Sequence, residues 1–347
     1  MKHPNCYLNS DYPRPQLVNP NFLLLDGKWD FAFDDQNIGE QQQWFVNFPS
    51  TQSIVVPFAY QTKDSGIEDL TTHPYMWYAR KFTFKKIKAD ERMLLHFEGS
   101  DYLTKVWVNG IYVGLHQGGY TRFSFDITDQ LNENSQVYIV VRVEDLKEAT
   151  QPRGKQTWVD QPFGCWYHET SGIWKSVWCE IVHEVYLKQV KITPRIQDYF
   201  VEFELGLNRF APGYALRIDI SYQGQTINDV MINLQRRINN IKLDMNNDLT
   251  GFRVHYWTPE NPELYDVNFS LLKDNKQVSS LGSYFGFRTV HSHKNALLLN
   301  NNPYYLKMVL HQGYYRNSGL TAPSTQALID DLLLAKKLGF NGVRMHQ

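Results

Sequence analysis

The sequence of 347 residues has few cysteines and no long apolar run. Its three cysteines, Cys6, Cys165 and Cys179, show no CxxC spacing, which argues against both a disulfide framework and a structural zinc site. No stretch reaches the roughly 20 apolar residues of a membrane-spanning helix, and segment 1–17 has no apolar run that could form the centre of a signal peptide. We therefore expect free thiols in a soluble, cytoplasmic protein.

The sequence also lacks an excess of charge of either sign. Charged residues make up 20% of the chain, the formal net charge is -1, and lysine and arginine are scattered without a basic block. A nucleic-acid-binding protein concentrates positive charge on one face, so nucleic acid is not an expected partner. His291 and His293 stand two residues apart, but no carboxylate or thiol cluster accompanies them, so we expect neither a metal nor another cofactor.

Aromatic residues are abundant, at 14% of the chain, with 9 Trp, 21 Tyr and 20 Phe. This composition suits β-sandwiches and aromatic-lined carbohydrate surfaces better than helical bundles. A single hydrophobic core stops growing at roughly 250 to 300 residues, so the length predicts two or three domains.

Helical periodicity is nearly absent before residue 183, where short runs of β-branched and aromatic residues alternate with turn residues. Asn109-Gly110 predicts a β-hairpin, because both residues tolerate the positive φ angles of a type I′ turn. Gly118 and Gly119 predict a sharp bend between strands. The pattern favours a jelly-roll-like sandwich. Its predicted strands are 28–33, 53–58, 77–84, 92–99, 104–116, 121–128 and 136–145.

A second all-β stretch covers residues 184–288. About 100 residues with six or seven short strands fit an immunoglobulin-like sandwich. The stretch has no Cys-Trp-Cys core, so the prediction concerns sandwich architecture only. Its predicted strands are 184–196, 200–207, 215–223, 238–245, 266–273 and 282–290.

The pattern changes after residue 295, where an apolar strand (302–310), a helix (323–340) and a second short strand (341–347) follow one another. The helix is predicted from apolar residues at helical spacing after Pro323-Ser324, and Gly339 is its predicted end. A strand-helix-strand unit of this kind has parallel strands and a right-handed connection.

Several motifs, in their order along the chain, resemble those of glycoside hydrolase family 2. Segment 107–131 resembles the centre of the family's sugar-binding domain, where a VNG hairpin, a Gly-Gly bend and a Phe-x-x-Asp-Ile-Thr run recur. SGIWKSVW (171–178) resembles the signature that closes that domain. WTPENPELYDV (257–267) resembles a turn before a late strand of the immunoglobulin-like domain, and FGFRTV (285–290) resembles the exit into the catalytic barrel.

The resemblance implies a mainly β fold with a jelly-roll-like sugar-binding domain (1–183), an immunoglobulin-like β-sandwich (184–288) and the first β-α-β unit of a (β/α)8 barrel (289–347). Family members are retaining β-glycosidases whose two carboxylates, about 5 to 5.5 Å apart, come from strand ends of the barrel. The whole protein is therefore expected to hydrolyse a β-galactoside, with a β-glucuronide or β-mannoside as alternatives.

The resemblance also implies that this chain contains no catalytic residue. In the family both glutamates lie on later barrel strands, the acid/base in an Asn-Glu pair, and no glutamate follows Glu263 here. The pair Asn132-Glu133 falls between sandwich strands and is not a candidate. We expect the 347-residue chain by itself to be inactive.

Four substrate-binding candidates, His311, Gln312, Arg344 and His346, resemble polar residues that the family places at the carboxyl ends of its first two barrel strands. Barrel enzymes build their active sites at this end of the strands. The match is partial, because the family often has Asn-Arg-His-Glu where this chain reads LHQGYYRNSG, and Arg344-Met345-His346 is one residue shorter than the commoner Arg-x-Ser-His. The alternative is that Arg344 and His346 pair with barrel carboxylates.

The loop 153–174 is the other candidate region, because it is long and aromatic and related enzymes send a loop from this place toward the active site. Trp158 and Trp166 could stack on sugar faces, and Asp160 or His168 could bond sugar hydroxyl groups. The alternative, which we favour, is a loop folded on its own aromatic side chains.

Two functions without catalysis remain as alternatives. One is a stand-alone carbohydrate-binding module, which requires sugar binding by the jelly-roll-like domain alone. The other is a structural protein whose sandwiches mediate assembly, which requires association into a homo-oligomer. In each enzymatic or binding alternative the expected partner is a carbohydrate, and a membrane is not an expected partner.

Overall fold

The computed structural model describes residues 11–133, 135–148, 150–246 and 254–346. The fold is mainly β, and the chain divides into two compact units. The first unit contains Leu23–Ile181 together with the segment from Lys307 onward, and the second contains Val182–Leu306 together with the segment that ends at Phe22. Cys165 and Cys179 are free thiols, and Cys6 lies outside the described residues.

The first unit is built mainly from two antiparallel sheets. Its strands before residue 184 are β1 (Phe22–Leu24), β2 (Gly27–Phe33), β3 (Gln52–Val56), β4 (Tyr75–Thr83), β5 (Glu91–Phe97), β6 (Ser100–Asp101), β7 (Leu103–Val108), β8 (Ile111–Gln117), β9 (Phe123–Asp126), β10 (Gln136–Glu144), β11 (Gly172–Ile173) and β12 (Val177–His183). One sheet has the order β1-β12-β5-β9, and the other has the order β3-β2-β4-β10-β7-β8. The short strands β6 and β11 pair with each other.

The six-stranded sheet is covered on both faces, which explains the continuous apolar start of β4. Met76 and Tyr78 point into the main core between the two sheets, whereas Trp77 packs into a second cluster on the opposite face. Successive side chains of a strand point to opposite faces, so both faces of β4 need an apolar cover here. Trp107 belongs to the outer cluster and stacks on Phe45 with ring centroids 5.4 Å apart.

The second unit contains a seven-stranded sandwich and a small three-stranded sheet. Its strands are β13 (Leu187–Arg195), β14 (Phe200–Leu207), β15 (Tyr214–Tyr222), β16 (Gln225–Asn233), β17 (Ile238–Asp244), β18 (Tyr265–Lys273), β19 (Lys276–Phe285), β20 (Val290–His293), β21 (Ala296–Leu299) and β22 (Asn302–Pro303). The sandwich consists of the sheets β13-β14-β17 and β16-β15-β18-β19, and β20-β21-β22 form the small sheet. Phe203 and Phe269 meet edge to face in the buried core of the sandwich.

A parallel strand pair joined by a helix follows in the first unit. Its elements are β23 (Met308–His311), α1 (Thr325–Lys337) and β24 (Gly342–Met345), and β23 pairs with β24 in parallel. Ser324 caps the helix, since its side chain accepts a hydrogen bond from the Ala327 N–H, and Gly339 ends it with a φ of 86°. No helix in the described part of the chain is long and apolar enough to cross a membrane.

The predicted Asn109-Gly110 hairpin is confirmed. The two residues have φ angles of 51° and 81°, and they join Val108 directly to its partner Ile111. A type I′ turn requires positive φ at both central positions, which asparagine and glycine adopt with little strain. Asn300-Asn301 forms a turn of the same kind between β21 and β22, with φ angles of 51° and 66°.

Three strand predictions were wrong in detail. The predicted strand 302–310 is interrupted, because Asn302-Pro303 pairs with β21 and only Met308–His311 joins the parallel pair. The strand β16 was missed, since its mixed and largely solvent-facing residues show no apolar alternation. The prediction 282–290 starts too late and ends too late, because β19 covers Lys276–Phe285 and follows a tight turn at Asp274-Asn275.

The segment after β23 packs back onto the sandwich of the first unit. The Asp64 N–H donates to the Asn317 carbonyl oxygen at 3.0 Å. The Thr321 hydroxyl lies 3.1 Å from the Pro57 carbonyl oxygen and 2.5 Å from the Trp174 carbonyl oxygen. Segment 317–321 is therefore held by backbone groups of two sandwich loops.

Gly172 in the SGIW motif occupies a position that tolerates no side chain. Its φ is +81°, and a Cβ atom there would lie 2.0 Å from the hydroxyl oxygen of the buried Tyr78. The same hydroxyl accepts a hydrogen bond from the Ile173 N–H at 3.3 Å. The close approach of backbone and tyrosine explains this glycine in physical terms.

We predict that Gly172→Ala destabilises the first unit by about 2 to 4 kcal/mol, because a left-handed backbone and an overpacked site act together. The matched control is Gly66→Ala, since Gly66 has a φ of +83° but nothing within 4 Å of a built Cβ atom. The free energy of unfolding of the control should fall by only about 1 kcal/mol. Urea unfolding measures both free energies, and equal losses in the two variants would contradict the steric explanation.

Candidate functional site

The carboxyl ends of β23 and β24 lie side by side. Their register pairs Leu310 with Arg344 and His311 with Met345, and the His346 N–H donates to the His311 carbonyl oxygen at 3.0 Å. This bond belongs to the His311–Met345 pair, so the ladder ends there, and Gln312 and His346 are the first residues beyond the two strands. All four candidates that the sequence placed here therefore lie at the carboxyl ends of two paired strands.

His311 points toward the helix α1. Its Nε2 lies 3.0 Å from Asp331 Oδ2, and its Nδ1 accepts the Gly313 N–H at 3.1 Å, which places the proton of the neutral ring on Nε2. The bond from His311, helped by one from Tyr315, lowers the pKa of Asp331. The imidazole is thus engaged by the helix side of the strand pair.

The opposite face of the strand pair carries Arg344. Side chains alternate along a strand, so Arg344, one position before the His311 partner Met345, lies on the face turned away from α1, and Gln312 and His346 follow directly after the two strands. Arg344 is exposed, and the Nδ1 atom of His346 is buried with no hydrogen-bond partner among the described residues. These three side chains supply donors of the kind that hold sugar hydroxyl groups.

The sandwich loop 153–174 reaches this strand end through two contacts. The Lys155 Nζ donates to Gln312 Oε1 at 3.3 Å. The Tyr167 ring stacks on the Tyr314 ring, with centroids 3.9 Å apart and an interplanar angle of 15°. The loop and the strand end thus form one continuous region within the first unit.

The tip of the loop is an aromatic cluster. Trp158 meets Trp166 and Phe163 edge to face, with centroids 4.8 Å and 5.5 Å away, and Trp158 remains 43% exposed. The rings pack on one another as in the favoured alternative, while one side of Trp158 still faces solvent. Its stacking on a sugar stays a prediction.

The polar candidates of the loop lie on its surface. Asp160 is almost fully exposed and accepts a hydrogen bond from Lys147 at 3.2 Å. Lys147 also pairs with Glu169 at 3.0 Å, so a single lysine joins two parts of the loop. His168 is exposed. The sequence-based roles of Asp160 and His168 stay predictions.

A buried polar network supports the loop from below. Gln156 Nε2 donates to Asp101 Oδ2 at 2.7 Å and lies 3.0 Å from the Tyr120 hydroxyl, and Gln156 Oε1 accepts the Thr170 N–H at 2.7 Å. A Cβ atom on Gly119 would lie 2.4 Å from the Asp101 carboxyl, so this glycine permits the carboxyl group to sit against the backbone.

Asp145 forms the second part of this network. It accepts the Ser171 hydroxyl at 2.5 Å and the Gln151 amide at 3.0 Å, and Arg153 Nη2 lies 3.7 Å from its Oδ1. The Ser171 hydroxyl also accepts a hydrogen bond from Gln61 at 3.0 Å. Hydrogen bonds therefore hold the start of the loop at Gln156 to Asp101 and its end at Ser171 to Asp145.

The two buried carboxyl groups differ in their electrostatics. Burial raises the pKa of Asp101 to about 8, and the nearby Asp145 adds to this shift. Burial also raises the pKa of Asp145, but the Ser171 hydroxyl and the Arg153 guanidinium oppose the shift. Burial therefore favours the neutral form of Asp101, whereas Asp145 has a cation beside it that favours its ionised form.

No metal site accompanies these groups. Among the described residues, no three His, Cys, Asp or Glu side chains come together as a metal would require. His291 and His293 lie exposed on β20 of the second unit.

Several residues of the site were missed in the sequence. Lys155, Gln156 and Tyr167 lie within the loop that the sequence analysis singled out, but only the loop's tryptophans, Asp160 and His168 were considered. Nothing in the sequence pointed to Asp101, because a single aspartate after a strand is common in a β-sandwich. Tyr314 follows the predicted strand end directly and could have been included by position alone.

Two sequence profiles match the chain. Residues 22–180 match the profile described as glycosyl hydrolases family 2, sugar binding domain, and residues 185–288 match the profile described as glycosyl hydrolases family 2. The chain belongs to glycosyl hydrolase family 2. The family resemblance seen in the motifs is thereby confirmed.

Curated relatives within family 2 include two activities. A β-galactosidase of Thermoanaerobacter pseudethanolicus is 27% identical over 92% of this chain, and a β-glucuronidase of Streptococcus agalactiae is 23% identical over 93%. The matched parts make up 41% of the first relative and 53% of the second. This family 2 chain therefore spans about half the length of these relatives or less.

Solved family structures share the fold. A β-glucuronidase of Lactobacillus rhamnosus aligns with a TM-score of 0.76, and a β-glucuronidase of Ruminococcus gnavus aligns with a TM-score of 0.75, each at 19% identity. Both alignments cover 95% of this chain and 54% or 55% of the solved chain. At this level of identity the likeness concerns the fold alone.

We predict that Asp101→Asn reduces the pH dependence of stability. Because the folded-state pKa of Asp101 lies above the unfolded value, its contribution is fully present below about pH 4 and is lost as the pH rises to about 8. The neutral amide cannot ionise, so the variant should gain stability relative to the original chain between pH 5 and pH 8, by about 1 kcal/mol or more.

The comparison uses urea unfolding at pH 5, 6, 7 and 8. The control variant is Asp129→Asn, which alters an exposed aspartate of the same unit. A parallel pH profile for Asp101→Asn and the original chain would show that Asp101 is ionised in the folded state.

Proposed function

We propose that the whole protein is a retaining β-glycosidase that hydrolyses a terminal β-linked sugar, with a β-galactoside as the first choice and a β-glucuronide or β-mannoside as alternatives. The family assignment and the activities named for its relatives support this proposal. The observation that carries it is the set Gln312, Arg344 and His346, which lies at the carboxyl ends of two parallel strands.

We infer the division into a jelly-roll-like sugar-binding domain (1–183), an immunoglobulin-like sandwich (184–288) and the start of a (β/α)8 barrel (289–347). The parallel pair β23-β24 with its connecting helix supports the last part. Apolar side chains of α1, such as Leu332, Leu333 and Leu334, are each more than half exposed. A complete barrel would cover these side chains and both faces of the strands.

In this proposal the 347-residue chain binds the sugar but does not cleave the glycosidic bond. Retaining hydrolysis needs a carboxylate nucleophile and a carboxylic acid/base about 5 to 5.5 Å apart. The sequence from residue 289 to 347 contains no glutamate, so it supplies neither of the two groups that family 2 uses. The catalytic pair is assigned to further barrel strands of the whole protein.

We assign sugar contacts to Gln312, Arg344 and His346, with Trp158 and Asp160 at the rim. His311 receives a different role, since its imidazole bonds to Asp331 of α1. It positions the strand end from the helix side.

We predict no hydrolysis by the 347-residue chain. The assay measures nitrophenol release from p-nitrophenyl β-galactoside, β-glucuronide and β-mannoside, and the rate should equal that of the blank. Circular dichroism of the assayed chain shows whether it is folded, which separates inactivity from misfolding. Release above the blank that survives repurification would mean that the catalytic carboxylates lie within the described chain.

We predict that Arg344→Ala weakens the binding of methyl β-galactoside by roughly 10- to 100-fold, because a charge-assisted hydrogen bond contributes about 1.5 to 3 kcal/mol. The matched control is Arg316→Ala, which removes an exposed arginine from the turn after β23. Isothermal titration with the galactoside and with methyl β-glucuronide measures affinity and sugar preference. Equal losses in the two variants would argue for a general charge effect and against a sugar contact.

A further inference from the structure

Lys155 places its ammonium group at the strand end of β23. The Nζ atom donates to Gln312 Oε1 at 3.3 Å, across 157 residues of sequence. Lys155 is itself half-buried, so its aliphatic part is packed while its charged end reaches the candidate sugar site.

The backbone around Lys155 is fixed by three hydrogen bonds. The Tyr167 N–H donates to the Lys155 carbonyl oxygen at 2.8 Å, and the Thr157 N–H donates to the Tyr167 carbonyl oxygen at 2.7 Å. The next residue, Gln156, is bound to the buried Asp101 at 2.7 Å. A lysine on such a backbone can deliver its charge to a defined position.

Tyr167 makes a second contact with the same segment. Its ring stacks on the Tyr314 ring with centroids 3.9 Å apart, and its backbone pairs with Gln156, the residue after Lys155. The loop thus contacts residues 312 and 314 at once. Two contacts on alternate residues restrict the orientation of the strand end more than either contact would alone.

The chemistry of lysine determines how the Gln312 amide is oriented. A protonated lysine has three donors and no acceptor, so it attracts the carbonyl oxygen of an amide and not its NH2 group. The Nε2 atom of Gln312 is then directed away from the ammonium group, and no described residue accepts a hydrogen bond from it. An oriented NH2 group is a donor for hydroxyl oxygens of a sugar.

We propose that Lys155 is a positioning residue of the sugar site, which holds the Gln312 amide with Nε2 as a hydrogen-bond donor to a hydroxyl oxygen of the terminal sugar. This inference rests on the proposed function, because it assigns a sugar to the strand end. It adds that the sandwich loop determines the donor pattern of a site whose other residues come from the parallel strands.

Two substitutions at Lys155 separate positioning from simple packing. Lys155→Met keeps the aliphatic chain and removes every donor, whereas Lys155→Arg keeps a cation that can still donate to Gln312 Oε1. Lys86→Met is the control, because Lys86 is an exposed lysine between β4 and β5 of the same unit. Gln312→Glu identifies the Gln312 signal, since it removes that side-chain amide.

The experiment records the side-chain amide resonances of the 347-residue chain labelled with 15N-glutamine, with and without methyl β-galactoside. We expect Lys155→Met to shift the Gln312 NH2 signals in the sugar-free chain and to lower the affinity for the galactoside by about three- to tenfold. Lys155→Arg should restore most of the affinity, and Lys86→Met should change neither quantity.

The possible results distinguish this inference from the function on which it rests. If the chain binds the galactoside but Lys155→Met leaves the Gln312 NH2 signals unchanged, the positioning role would be overturned and the sugar site would remain. Gln312 signals that respond to Lys155→Met but to none of the three methyl β-glycosides (galactoside, glucuronide, mannoside) would overturn the assignment of a sugar to this amide. Loss of affinity in Lys155→Arg equal to that in Lys155→Met would also contradict the inference.

Discussion

The side-chain amide of Gln156 joins the loop 153–174 to the buried core of the first unit. Its Nε2 donates to the buried Asp101 and its Oε1 accepts the Thr170 N–H, so both arms of the loop 153–174 depend on one residue. An unsatisfied buried amide costs about 1 to 3 kcal/mol per lost partner, which makes alternative loop positions unfavourable. The contacts of Lys155 and Tyr167 with the strand end follow from this anchoring.

Much of the fold could be predicted from local patterns. The hairpin at Asn109-Gly110, the cap at Ser324 and the helix end at Gly339 depend on backbone preferences of single residues, and the structure shows all three. The strand β16 could not be found in this way, because an edge strand with solvent on one side needs little apolar character. Segment 304–307 illustrates the reverse case, since its apolar residues predict a continuous strand, whereas the ladder with β21 ends before it and the ladder with β24 begins after it.

The candidate site was only partly predictable, for a physical reason. Gln312, Arg344 and His346 were found because strand ends can be located from sequence and because the family motifs point to them. The bonds from Lys155 to Gln312 and from Gln156 to Asp101 join residues 157 and 55 positions apart, and no local pattern encodes such pairs. The raised pKa of Asp101 likewise depends on burial beneath a loop, which becomes visible only in three dimensions.

The contacts of segment 317–321 bear on where this protein can be divided. The Thr321 hydroxyl and the Asn317 carbonyl oxygen satisfy backbone groups of the sandwich at Pro57, Trp174 and Asp64. A polypeptide cut at residue 183 would leave those groups to water and uncover the surface beneath them. The first unit is therefore discontinuous in sequence, because it stops at Ile181 and resumes at Lys307, and a division of the chain that preserves these contacts has to keep both parts together.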